Sequence, residues 1–99
     1  MGPEEENREI RLAVDTGKVE IGYNSVANAI QKNIAKAVII ARGSKKHLSD
    51  NILHNSSLAN VKVIFHEGNS MELGEICGKP YPVSFIAIID PGASKILEA

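Results

Sequence analysis

The sequence predicts an α/β fold: a three-layer α/β/α sandwich with a four-stranded mixed sheet. Three observations support it. Helically spaced apolar residues alternate along the chain with short strand-like runs. One run, Ala37-Val38-Ile39-Ile40-Ala41, is apolar throughout and β-branched, as a central strand buried on both faces would be. No repeat, low-complexity stretch or Pro/Ser linker interrupts the 99 residues, so residues 1–99 read as one domain, 43% apolar.

The first helix is expected over about Glu4 to Asp15, with Ile10, Ala13 and Val14 facing inward. Its acidic start complements the helix dipole, and Gly17 stops it. Lys18-Val19-Glu20-Ile21 alternates as a half-buried strand, ended by Gly22. A second helix starts near Asn24-Ser25, both good caps, and runs to about Asn33 with Val26, Ile30 and Ile34 inward. After the Ala37–Ala41 strand, a third helix over about Lys45 to Leu58 buries Leu48, Ile52 and Leu53. Val61 to Phe65 reads as the third strand. Asn69 with Glu72 has capping-box spacing for a short helix burying Leu73, Ile76 and Cys77, which Gly78 stops. Pro80-Tyr81-Pro82 forces an extended loop, because proline fixes its own φ and restricts its predecessor. Val83 to Ile89 is the fourth strand, Asp90-Pro91-Gly92 a turn, and Ala93 to Ala99 a short terminal helix.

Composition narrows the function classes. The formal charge of −1 argues against a generic polyanion binder, so any nucleic-acid contact must be local and shape-matched. No apolar run reaches the roughly 20 residues of a membrane span, and the acidic start does not read as a signal peptide. A single cysteine, Cys77, allows no internal disulfide and fits a reducing cytosol.

Catalytic constellations fall away one by one. Asp15-Thr16-Gly17 is the triplet of retroviral-type aspartic proteases, but here it follows a helical pattern rather than a strand, and reads as a helix stop. His47 and His54 are two helical turns apart, about 10 Å, too far to share a zinc ion, and no further ligand completes a set with His66. All three histidines are expected on the surface. Cys77 reads as a buried cysteine at a helix end. No phosphate-loop or dinucleotide glycine pattern occurs. No enzyme activity, metal or cofactor is therefore expected.

Two segments remain. Gly22-Tyr23-Asn24-Ser25 is a strand-to-helix junction, either an ordinary cap or a place where helix-start N–H groups and a close-approaching backbone meet phosphate. Gly78-Lys79-Pro80-Tyr81-Pro82-Val83 is a stiff loop, either a proline-rigidified turn or a cation, an aromatic and an apolar tip suited to an unstacked RNA base.

Around both segments the sequence closely resembles the ribosomal protein thirty ("e" type) family of the archaeal and eukaryotic large subunit, within the kink-turn RNA-binding superfamily. The resemblance covers most of the chain. It is carried by Asp15-Thr16-Gly17-Lys18-Val19 with Ile21-Gly22, Ala37-Val38-Ile39-Ile40-Ala41, Glu72-Leu73-Gly74 with Cys77-Gly78-Lys79-Pro80, and Asp90-Pro91-Gly92-Ala93-Ser94-Lys95-Ile96-Leu97. It implies the same sandwich fold and a noncatalytic part in the large subunit, holding a kink-turn, an RNA duplex bent at an internal loop with sheared G·A pairs. It implies that Gly22, Asn24 and Ser25, with Asn28 and Lys32 further along the helix, face those pairs, and that Tyr23 beside them belongs to the RNA-binding set. Lys79, Tyr81 and Val83 would pack on the flipped-out nucleotide, and Arg42, Gly43, Ser44 and Lys46 would contact phosphate. The implied partners are ribosomal RNA and neighbouring ribosomal proteins, with a monomer when free, in the cytoplasm. A stand-alone kink-turn adaptor in RNA processing or modification is the alternative. The chain departs from the family's commonly basic character, with Asn24, Ser25 and Asn28 where relatives often carry Lys or Arg.

Overall fold

In the computed structural model, which describes residues 3–98, four helices and four strands alternate in the expected order. They are α1 (Pro3–Thr16), β1 (Lys18–Ile21), α2 (Tyr23–Gln31), β2 (Ala37–Arg42), α3 (Lys46–Leu58), β3 (Lys62–Asn69), α4 (Ser70–Ile76) and β4 (Phe85–Asp90), followed by a 3-10 turn (Ile96–Glu98). The sheet runs β1-β4-β2-β3, with β4 antiparallel to both neighbours and β2 parallel to β3. It is a mixed sheet, as expected.

Strand alternation divides the interior into two layers. Ala37, Ile39 and Ala41 of β2 and Ile86 and Ile88 of β4 point to one face, where Ile10, Ala13, Leu73, Cys77 and Ile96 pack on them. Val38, Ile40, Phe85 and Ala87 point to the other, beneath Val26, Ala29, Ile30 and Ile52. α1, α4 and the 3-10 turn therefore cover one face and α2 and α3 the other. Each buried isoleucine, leucine or phenylalanine contributes about 1.5–3 kcal/mol to this packing.

The topology places the function-bearing loops together. β1, β2 and β3 end, and β4 begins, at one edge of the sheet. Three backbone hydrogen bonds stitch that edge: Gly22 N–H to the Phe85 carbonyl at 3.0 Å, Ala41 N–H to Ser84 at 2.9 Å, and Val83 N–H to Ser70 at 2.9 Å.

Several expectations need correction. Strand four starts at Phe85 rather than Val83, because the Val83 N–H is committed to Ser70 instead of to a strand ladder. α2 starts at Tyr23, capped by Gly22 without a side-chain bond. It stops at Gln31, and Asn33 then adopts a left-handed φ of 59°. Ile34 consequently falls outside the helical spacing and is 43% exposed. β3 continues past Phe65 to Asn69, where polar residues hide the strand pattern. The terminal segment forms a 3-10 turn within Ala93–Ala99, and Ala99 lies outside the described residues.

The Asp-Thr-Gly triplet is the expected helix stop. Asp15 pairs with Arg11 one turn earlier at 2.9 Å. The Thr16 hydroxyl donates to Leu12 and accepts the Ala93 N–H. Gly17 is required by close approach, since a β-carbon there would lie 1.9 Å from the Asp90 carbonyl oxygen. Asn69 caps α4 as expected, its side chain accepting the Glu72 N–H at 3.0 Å.

Candidate nucleic-acid interface

The two segments singled out in the sequence meet. Gly22 and Tyr23, between β1 and α2, and Tyr81 to Phe85, entering β4, line one groove of about 330 Å³ together with Ile21 and Leu48. Gly22 has a φ of 100°, which favours glycine, and a β-carbon there would meet nothing within 4 Å. Its free face lets a ligand backbone approach closely. Tyr81 is 49% exposed and presents its ring. The loop carrying it rests on α4 at Gly74, where a β-carbon would lie 2.2 Å from the Tyr81 carbonyl oxygen.

Tyr23 lines the groove from within the packed interior, and Val83 differs from the reading of it as an apolar tip. Tyr23 is half-buried, packs edge-on to Phe85 with ring centroids 5.9 Å apart, and accepts a hydrogen bond from Asn51 at 3.2 Å. Val83 is 2% exposed and belongs to the core, so it forms the groove's floor rather than an apolar tip.

Ser25 and Asn28 of α2 and Lys32 at its C-terminal end line a separate cleft of about 110 Å³ with Glu20, Ala29 and Ile34. Asn24 is exposed in the first turn of α2. Lys79 is half-buried at the base of the proline loop. Lys46 is exposed in the first turn of α3, two residues before the groove-lining Leu48. Arg42 is not brought to the groove. A register shift between Ala41 and Arg42 accompanies its placement in a separate cleft with Glu6, Asn7, His66, Glu67, Gly68 and Glu72.

That second cleft holds a correction. His66 is 5% exposed, not a surface histidine. Its Nδ1 accepts the Gly68 N–H at 3.0 Å, which places its proton on Nε2, 2.7 Å from the Asn7 side-chain oxygen. The ring ties α1 to β3. His47 and His54 are exposed as expected. No group of three or more His, Cys, Asp or Glu among the described residues is placed to hold a metal. Burial pushes the Cys77 thiol up to about 11, against the opposing pull of Lys79 and Arg11, so it is a protonated core side chain.

Charge is strongly divided. Residues 21–66 hold six of the eleven Lys and Arg residues but one acid, Asp50, for a local charge of +5. The rest of the chain holds the other eleven acids and carries −6. The middle of the chain is therefore cationic within a nearly neutral protein, although α2 itself carries no charged residue and α3 only Lys46 and Asp50. Sequence reasoning missed Leu48 as a groove residue, because its spacing from Ile52 reads as core; only its place at the uncovered first turn of α3 exposes it.

The comparisons agree with this architecture. The family model described as Ribosomal protein L7Ae/L30e/S12e/Gadd45 family matches residues 4–98. The chain is 45% identical to the large ribosomal subunit protein eL30 of Methanosphaera stadtmanae, covering 92% of this chain and 93% of that one. It is 43% identical to the eL30 of Methanococcus vannielii, covering 92% and 87%, and 38% identical to that of Sulfurisphaera tokodaii, covering 91% and 85%. A solved structure of a protein of unknown function from Bacillus halodurans superposes with a TM-score of 0.82, at 23% identity over 98% of this chain and 95% of that one, and shares the fold. With a family match across nearly its whole length, the chain belongs to the ribosomal protein L7Ae/L30e/S12e/Gadd45 family.

Proposed function

We propose that this protein is a noncatalytic constituent of the large ribosomal subunit that binds and stabilises a kink-turn in ribosomal RNA. One observation carries the reading: the two segments chosen from sequence line a single groove, open at Gly22 and walled by an exposed tyrosine. Such a groove suits a flipped-out base, which binds by stacking and a few polar contacts. The cleft along α2 offers Asn28, Ser25 and Lys32 to base edges and phosphates. The relatives named as large-subunit proteins support the ribosomal setting. In this reading the whole chain acts as one RNA-binding domain, a monomer when free, in the cytoplasm, needing no cofactor and meeting neighbouring ribosomal proteins once assembled. Binding favours the bent RNA only to the extent that the groove prefers it over the straight form.

The test replaces Asn24 and Tyr81 together by alanine and measures affinity for a kink-turn duplex and for a matched straight duplex. Both side chains are exposed, so the circular dichroism and melting temperature should be retained. Affinity for the kink-turn should fall at least about thirtyfold, one stacking and one base-edge contact being lost. Unchanged affinity overturns the site. Co-sedimentation of the wild type with large subunits after a high-salt wash tests the ribosomal setting.

A further inference from the structure

We infer that Asn51 is a positioning residue for RNA binding: it holds the Tyr23 phenol so that the phenolic proton is presented to an acceptor atom of a nucleotide in the groove. The inference rests on the RNA-binding reading above.

Tyr23 is fixed twice. Its ring meets Phe85 edge-on at 68°, and its oxygen accepts the Asn51 side-chain N–H at 3.2 Å. A phenol offers one donor and can still accept. With the oxygen accepting from Asn51, the proton remains to be given, and no described residue receives it. Asn51 lies three residues beyond Leu48, so the two share a face of α3. Leu48 lines the groove, as does Tyr23 itself, which puts the hydroxyl at the groove's α3 wall. That wall is otherwise apolar, and a donor there would favour a nucleotide carrying a carbonyl or ring-nitrogen acceptor at that point. Asn51 itself lines no part of the groove and acts only through the phenol.

A double-mutant cycle tests this with Tyr23→Phe, Asn51→Ala and both together, titrated against a kink-turn RNA and melted in parallel. Tyr23→Phe keeps the ring packing and should weaken binding about two- to tenfold, the worth of one neutral hydrogen bond. Asn51→Ala should weaken it less, and the double variant should be no weaker than Tyr23→Phe alone. Losses that multiply in the double variant overturn the proposal. So do unchanged affinities with lowered melting temperatures, which would make the pair a structural tie between α2 and α3. A wild type that binds no kink-turn removes the RNA-binding reading and this inference with it. A wild type that binds, with no coupling in the cycle, removes the positioning role alone.

Discussion

Two clefts open at the same edge of the sheet, and they are built for different purposes. The groove between Gly22, Leu48 and Tyr81 is walled by apolar and aromatic groups, and no charged side chain lines it. The cleft around His66 is lined by Glu6, Glu67 and Glu72 with Arg42, and the histidine inside it is committed at both ring nitrogens. The first presents the exposed Tyr81 and the open face of Gly22, and the second ties its histidine down internally. Three carboxylates against one arginine disfavour a phosphate chain in the second, and no acid in the lining of the first opposes one. The net charge of −1 averages over segments of opposite sign, which is why composition by itself says little about either cleft.

The contrast can be broken experimentally. The largest combined loss of stability and affinity is expected from Gly74→Ala, because the new methyl must displace the Tyr81 carbonyl and with it the loop that walls the groove. Stability should fall by about 2–3 kcal/mol and kink-turn affinity by more than about tenfold. Thermal melting and titration check the two losses in the same sample, and a stable variant with full affinity would show that the loop's seat on α4 does not matter.

His66→Ala should separate the clefts. It removes two hydrogen bonds and leaves the Asn7 oxygen and the Gly68 N–H without their partner, at a cost of about 3 kcal/mol by denaturant unfolding. RNA affinity of the folded protein should stay within about twofold. A loss of affinity as large as that of the groove variants would mean that the acidic cleft takes part in binding.

Smaller effects follow from charge. Lys32→Gln should lower the salt dependence of RNA binding by about one phosphate contact. Glu67→Gln, in the His66 cleft, should leave that slope unchanged. Equal slopes for Lys32→Gln and the wild type would place the RNA away from the α2 cleft.

Cys77 gives the smallest effect, and on stability alone. Its thiol is held at about 11 by burial, above the ordinary value of 9.0 for the unfolded chain. The unfolded thiol therefore loses its proton first. The contribution is full below pH 9.0 and is lost as pH rises toward about 11. Melting temperature should fall more steeply over that window in the wild type than in Cys77→Ala. Parallel curves would show that the thiol does not titrate differently on folding.

How much of this was legible in the sequence depends on the range of the forces involved. The helices and central strands were readable because each announces itself locally. Ile10 and Ala13 follow helical spacing, Ala37 to Ala41 is apolar without a break, and Asn69 stands three residues before Glu72. Boundaries were less so where a distant partner decides them. Val83 leaves the strand because Ser70 takes its N–H, and Ile34 is exposed because Asn33 turns left-handed before it. His66 looked like a surface residue because nothing near it in sequence reveals Asn7, fifty-nine residues away.

The candidate site divides the same way. Chain-local chemistry marked Gly22 to Ser25 and Lys79 to Val83, through a glycine at a junction and prolines that stiffen a loop. The sequence by itself thus determined the layers, the order of elements and the residues worth watching. Only the tertiary structure decided that the two segments share one groove, that Leu48 completes it, that Val83 is floor and Arg42 stands apart, and that Asn51 reaches Tyr23. Those are contacts between residues far apart in the chain, set by strand order and helix packing rather than by local propensity.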